Sequence, residues 1–145
     1  MTLRLLSLLL LMPSLLFADK LIIGGFSKHI GYPVPLNETH PALGLERDGV
    51  EYSFYHNSLE RTSFAITRIS RKPITDSFSI GARFGLATGY GDATVEGYDG
   101  RDYSMDGLPL GVMPQAQFLI SHESKYLTVD LGLSHVSSLI FKVNL

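Results

Sequence analysis

"SFSIGARFGLATGY", Ser77–Tyr90, alternates along its whole length. Phe78, Ile80, Ala82, Phe84 and Leu86 fall on one face, and Ser79, Gly81, Arg83, Gly85 and Ala87 on the other. Successive side chains of a strand point to opposite sides, so a period of two predicts a strand. An unbroken apolar face opposite an arginine and small residues suits a wall between lipid and a polar lumen. Tyr126–Ser134 divides the same way: Leu127, Val129, Leu131 and Leu133 oppose Tyr126, Thr128, Asp130, Gly132 and Ser134. Arg83 and Asp130 then both point inward, where a charge needs a partner, and the two are expected to pair.

Outward from these two segments the chain reads as strand throughout, with no sustained helical period. Strands are predicted over Lys20–Ile30, Ala42–Arg47, Val50–His56, Thr62–Ser70, Ser77–Tyr90 (the longest), Leu110–Ser121, Tyr126–Ser134 and Ser138–Leu145. Asp48-Gly49 is a tight hairpin turn, because such turns require positive φ. The count is eight, and an even count brings both ends of an up-and-down barrel to one rim. The two long connections, Gly31–Pro41 and Gly91–Pro109, then share the opposite rim, as the outer loops of outer-membrane barrels do. The expected fold is an all-β, eight-stranded antiparallel up-and-down barrel. A small soluble sandwich or lipocalin-like barrel would alternate equally well.

The first eighteen residues, "MTLRLLSLLLLMPSLLFA", differ in kind. One cation at Arg4, a leucine-rich run and a small Ala18 before Asp19-Lys20 make the plan of a secretory signal peptide cut after Ala18. The run is short for a membrane span, and Pro13 interrupts it. Residues 19–145 then form one exported domain, a length with no room for a second core. A net charge of −2 offers no basic stripe for nucleic acid. With no cysteine, the chain has no disulfide, thiolate metal site or lipoprotein acyl site.

Reactive side chains gather at the long-loop rim: His29, Asn37, Glu38 and His40, then His56-Asn57-Ser58, then His135 and Ser137. The histidines lack metal-ligand spacing, so no metal or cofactor is expected. A serine beside a histidine can be activated near neutral pH. Polar residues at a rim are also expected simply because water is there.

In order along the chain, "SKHI", "NETHPALGLE", "EYSFYHNS", "FSIGARFGLATGY", "LPLGVMP" and "SSLIFKVNL" make it resemble the outer-membrane lipid A palmitoyltransferases of the PagP type, in a short form without the N-terminal amphipathic helix. The resemblance covers nearly all of residues 29–145. It implies a monomeric outer-membrane barrel of a Gram-negative cell, moving a palmitoyl-type chain from a phospholipid donor to lipid A. It further implies a site at His29, Asn57 and Ser58. Asn57 stands where the family carries Asp; its amide oxygen can orient an imidazole but lacks the charge that stabilises imidazolium. Strands one and three are separated by the second, so their backbones should stand about 10 Å apart, a gap the side chains must span. Gly81, Gly85 and Ala87 would leave lumen space for the chain, and Pro109 and Pro114 would open the wall of the sixth strand to lipid. Two alternatives stand: a lipid A deacylase using His135 and Ser137, and a non-enzymatic barrel of the OmpX kind with its lumen filled by side chains.

Overall fold

The computed structural model describes residues 18–105 and 111–145. The signal-peptide expectation and Pro109 therefore lie outside the described residues, Ala18 excepted. Eight strands close into an antiparallel barrel: β1 (Lys20–His29), β2 (Thr39–Arg47), β3 (Val50–His56), β4 (Thr62–Pro73), β5 (Phe78–Ala87), β8 (Met113–Glu123), β9 (Leu127–Leu133) and β10 (Val136–Asn144). Neighbours in sequence are neighbours in the wall, and β10 pairs back onto β1 from Lys20↔Asn144 to His29↔Val136. Two short strands, β6 (Ala93–Glu96) and β7 (Asp102–Met105), form a hairpin of their own within the long β5–β8 connection. Sequence alternation did not disclose that hairpin, since four-residue strands are too short for a period to register.

Boundaries move where side-chain chemistry and alternation disagree. The second strand begins at Thr39, three residues early, and runs through His40 and Pro41, with Pro41 opposite Gly24. The longest strand is β4, with 12 residues, rather than the one that opens at Phe78. The β2–β3 turn is as expected: Asp48 and Gly49 take φ of 50° and 72°, the two left-handed positions of a type I′ hairpin.

Facing outward, Phe26, Leu43, Phe54, Phe84, Leu86 and Phe118 are all about half exposed. Inside, the lumen changes character along its length. Toward the rim that carries the termini, Glu46, Glu51 and Asp130 meet Arg71, Arg83 and Lys142. Lys142 has no exposed side-chain surface; its Nζ lies 2.7 Å from Glu46, 2.6 Å from Asp130, and against Glu51. Arg71 forks onto Glu46 and reaches Asp130 at 2.7 Å. Arg83 lies 2.7 Å from Glu51, so the expected Arg83–Asp130 pair is not made. Asp130 sits on β9, nearer to Lys142 on the adjacent β10, and takes its cations from there and from Arg71. Three carboxylates against three cations leave the cluster neutral.

Removing one member strands a charge in a dry interior. Lys142→Met should destabilise the barrel by about 3–5 kcal/mol, the usual loss when one partner of a buried ion pair is deleted. Adding Glu46→Gln, which restores charge parity, should recover part of that loss. Urea midpoints of the folded protein in detergent micelles check both.

Candidate active site

The turn after β3 is built around Asn57, which is fully buried. Its Oδ1 accepts from the backbone N–H of Leu59 (2.9 Å) and of Arg61 (3.0 Å). Its Nδ2 donates to Ser63 Oγ (2.9 Å) and to the Gly89 carbonyl (3.0 Å). Both ends of the amide are thus occupied, and neither bonds to His29. The expected orienting role is corrected: Asn57 shapes the turn that presents Ser58. An ionised Asp would fit less well there, because the Gly89 carbonyl only accepts and would lose the amide's N–H.

Ser58 Oγ and His29 Nε2 stand 2.9 Å apart, so side chains from β1 and the tip of β3 do meet across the expected gap. The loop between β1 and β2 folds over the same tip: Asn37 N donates to the Ser58 carbonyl (3.0 Å), and Asn37 Nδ2 to that of Asn57 (3.2 Å). A row of hydroxyls leads to Ser58 from across the lumen. Gln115 Nε2 donates to Tyr55 Oη (3.1 Å), Tyr55 Oη lies 3.2 Å from Tyr90 Oη, and Tyr90 bonds to Ser58. The Gln115 amide donates at one end, and since a hydroxyl can both give and accept, the row links it through Ser58 to His29 Nε2. Burial, and then the neighbouring Tyr55, raise the Tyr90 phenol well above its ordinary range, so Tyr90 stays protonated. His29 Nδ1, also buried, has no hydrogen-bond partner among the described residues. Tyr32 packs edge-on against the His29 ring at 5.4 Å.

A second serine–histidine contact lies just below. Ser27 Oγ is 2.7 Å from His40 Nε2, and His40 Nδ1 is 2.7 Å from the His56 carbonyl. Ser27 carries no sequence signal as a site residue. Its partner becomes visible only once β1 and β2 are set in register, with Phe26 opposite Thr39.

All four of these side chains line one cavity of about 210 Å³ that opens at the long-loop rim and reaches down to Ile22, Ile140 and Arg83. Gly81, Gly85 and Ala87 do not line it, which corrects their expected role. A Cβ on Gly81 would strike the Ser70 carbonyl, and one on Gly85 the Ile66 carbonyl; these glycines let β5 lie close against β4. Pro114 does line it. The β8–β9 ladder has its uppermost rung at Phe118↔Leu133, whereas β8 pairs with β5 up to Met113. Residues 113–117 therefore have no ladder partner on the β9 side, and Gln117 crosses there by side chain, donating to the Val136 carbonyl at 3.1 Å. His135 borders the cavity and stacks with Tyr32, but Ser137 does not line it and makes no bond to His135. Val136 and Ser138 take the inward positions on β10, which turns Ser137 outward.

Glu46, Glu51 and Asp130 bring carboxylate oxygens within 4.8 Å of one another, the spacing of a metal cage, but the Lys142 ammonium touches all three. Compared with known proteins, the chain matches no family model, no curated protein and no solved structure.

Asn57→Asp should lower stability by about 1–3 kcal/mol, since the Gly89 carbonyl loses its donor and faces a buried carboxylate. The same urea titration reads the loss.

Proposed function

We propose that this barrel sits in an outer membrane and transfers a fatty acyl chain from a phospholipid to lipid A. The observation that carries the reading is the 2.9 Å contact between His29 and Ser58 at the mouth of a largely apolar slot. Supporting it are the half-exposed aromatic and leucine side chains around the barrel, which lipid would cover. The unladdered stretch of β8 at residues 113–117 supplies a lateral way in from lipid. A cavity of about 210 Å³ lies between the ~150 Å³ that encloses a benzene-sized guest and the ~300 Å³ at which drug-sized sites begin. By that comparison it takes one alkyl segment and has no room for two side by side.

In this reading His29 Nε2 is the general base. Ser58 marks the direction from which that nitrogen accepts a proton. An acceptor hydroxyl arriving there gives its proton to Nε2 as it attacks the donor ester, while the Ser58 and Tyr90 hydroxyls turn to the ester carbonyl oxygen. Donors placed on a developing oxyanion are the commonest large contribution to acyl transfer. The lysophospholipid leaves with the proton that His29 received. Asn57 holds the turn and takes no part in the proton transfers.

The non-enzymatic reading draws on the ionic network, but that network fills only the lumen next to the termini. The deacylase reading is disfavoured by the outward position of Ser137.

Mass spectrometry of lipid A from a Gram-negative host expressing the protein tests the proposal. A gain of one acyl mass is expected. His29→Ala should lower the rate by about 10²–10⁴, and Ser58→Ala by about 10²–10³. Ala42→Leu, which narrows the slot, should shift the added mass toward shorter chains. Unchanged lipid A would overturn the assignment, and a lost acyl group would replace it with deacylation.

A further inference from the structure

We propose that Ser27 and His40 form a separate nucleophilic dyad, with Ser27 Oγ carrying the acyl group between donor and acceptor. The proposal rests on the acyl-transfer reading of the same cavity and divides it into two half-reactions.

The tautomer of His40 is settled by its partner. A carbonyl oxygen only accepts, so the 2.7 Å contact with His56 places the hydrogen on His40 Nδ1. Nε2 then holds the lone pair, and the 2.7 Å contact with Ser27 is an O–H donated by the serine. A serine hydroxyl aimed at a histidine whose far nitrogen is held by an acceptor is the arrangement of an activated nucleophile. His29 lacks that support, its Nδ1 having no partner among the described residues. Ser27 lies two residues before His29 on the inward face of β1, about 6.6 Å deeper along the strand. An acyl group on Ser27 would thus keep its chain in the slot and its carbonyl below His29.

In the first half-reaction Ser27 Oγ bonds to the acyl carbon and the donor's ester C–O bond breaks. The serine proton passes to His40 Nε2 and from there to the departing alkoxide of the lysophospholipid. In the second, the acceptor oxygen, brought in beside His29, bonds to the acyl carbon and gives its proton to His40 Nε2. The Ser27–acyl bond breaks, and His40 returns that proton to Ser27 Oγ, 2.7 Å away. No co-reactant is consumed.

A long-chain alkyl p-nitrophenyl phosphonate mimics the donor: a serine nucleophile forms an O–P bond and releases p-nitrophenolate. The purified full-length protein in detergent micelles is treated with this probe, and the adduct is located by peptide mass spectrometry. The expected adduct is on Ser27, absent in Ser27→Ala. It should form about a hundredfold more slowly in His40→Gln, the size of a general base's contribution. Ser137→Ala should label as the parent does. Heat-dependent gel mobility verifies that each variant is folded. An adduct confined to Ser58, no adduct, or labelling indifferent to His40 overturns the dyad. A labelled Ser27 in a protein that leaves lipid A unchanged upholds the dyad and removes lipid A as acceptor.

Discussion

The placement of Lys142 governs the interior of this barrel. One ammonium group, with no surface of its own exposed, is held among three carboxylates from β2, β3 and β9. Alone, those carboxylates would repel one another; with Arg71 and Arg83 they form a closed, neutral set. Desolvating six charges is costly, and such clusters are weak grounds for claiming stability. What this one supplies is position. It ties side chains of six strands together and blocks the lumen beneath the cavity, so the slot has a floor. A blocked lower lumen with an open upper one makes a cup.

Above that floor, holding and reacting are done by different residues. Asn57 has all four of its hydrogen-bonding positions occupied by turn and neighbour atoms, so it is spent on shape. Ser58, next in the chain, is free to point at His29. The row from Gln115 through Tyr55 and Tyr90 joins the far wall of the lumen to Ser58. It leaves His29 with a hydroxyl partner at Nε2 and no carboxylate on its other side among the described residues. An Asp at position 57 would be in the wrong place to help the ring, since the side chain there faces Ser63 and Gly89.

Alternation made the barrel legible, because outward-facing and lumen-facing demands repeat every second residue over strands of seven or more. Val50–His56 and the Asp48-Gly49 turn were readable to the residue, the turn because positive φ restricts what can stand there. The meeting of His29 and Ser58 was readable through the order of motifs and the rim they share. Asn57 was misread because the resemblance sets it where an orienting Asp would stand, while the partners that claim its amide lie as far away as Gly89. Gly81 and Gly85 were misread for a related reason: a missing side chain can leave space or admit a backbone, and only the β4 carbonyls above them decide which. Ser27 was invisible because half of its identity as a site residue belongs to His40 on another strand.

The meeting of β1 and β3 over an intervening strand follows from where ladders stop. β2 pairs with β3 only up to Ala42↔Tyr55, yet with β1 up to Thr39↔Phe26. Its last three residues toward the rim are therefore bonded to β1 alone. The His40 ring supplies the missing link, its Nδ1–H reaching the His56 carbonyl where a backbone rung would otherwise stand. That substitution brings β1 and β3 into one hydrogen-bonded unit at the rim. His29 can then reach Ser58, and the nitrogen left over on His40 turns to Ser27. The break in the ladder that lets the two outer strands converge is thus the same feature that creates the second dyad.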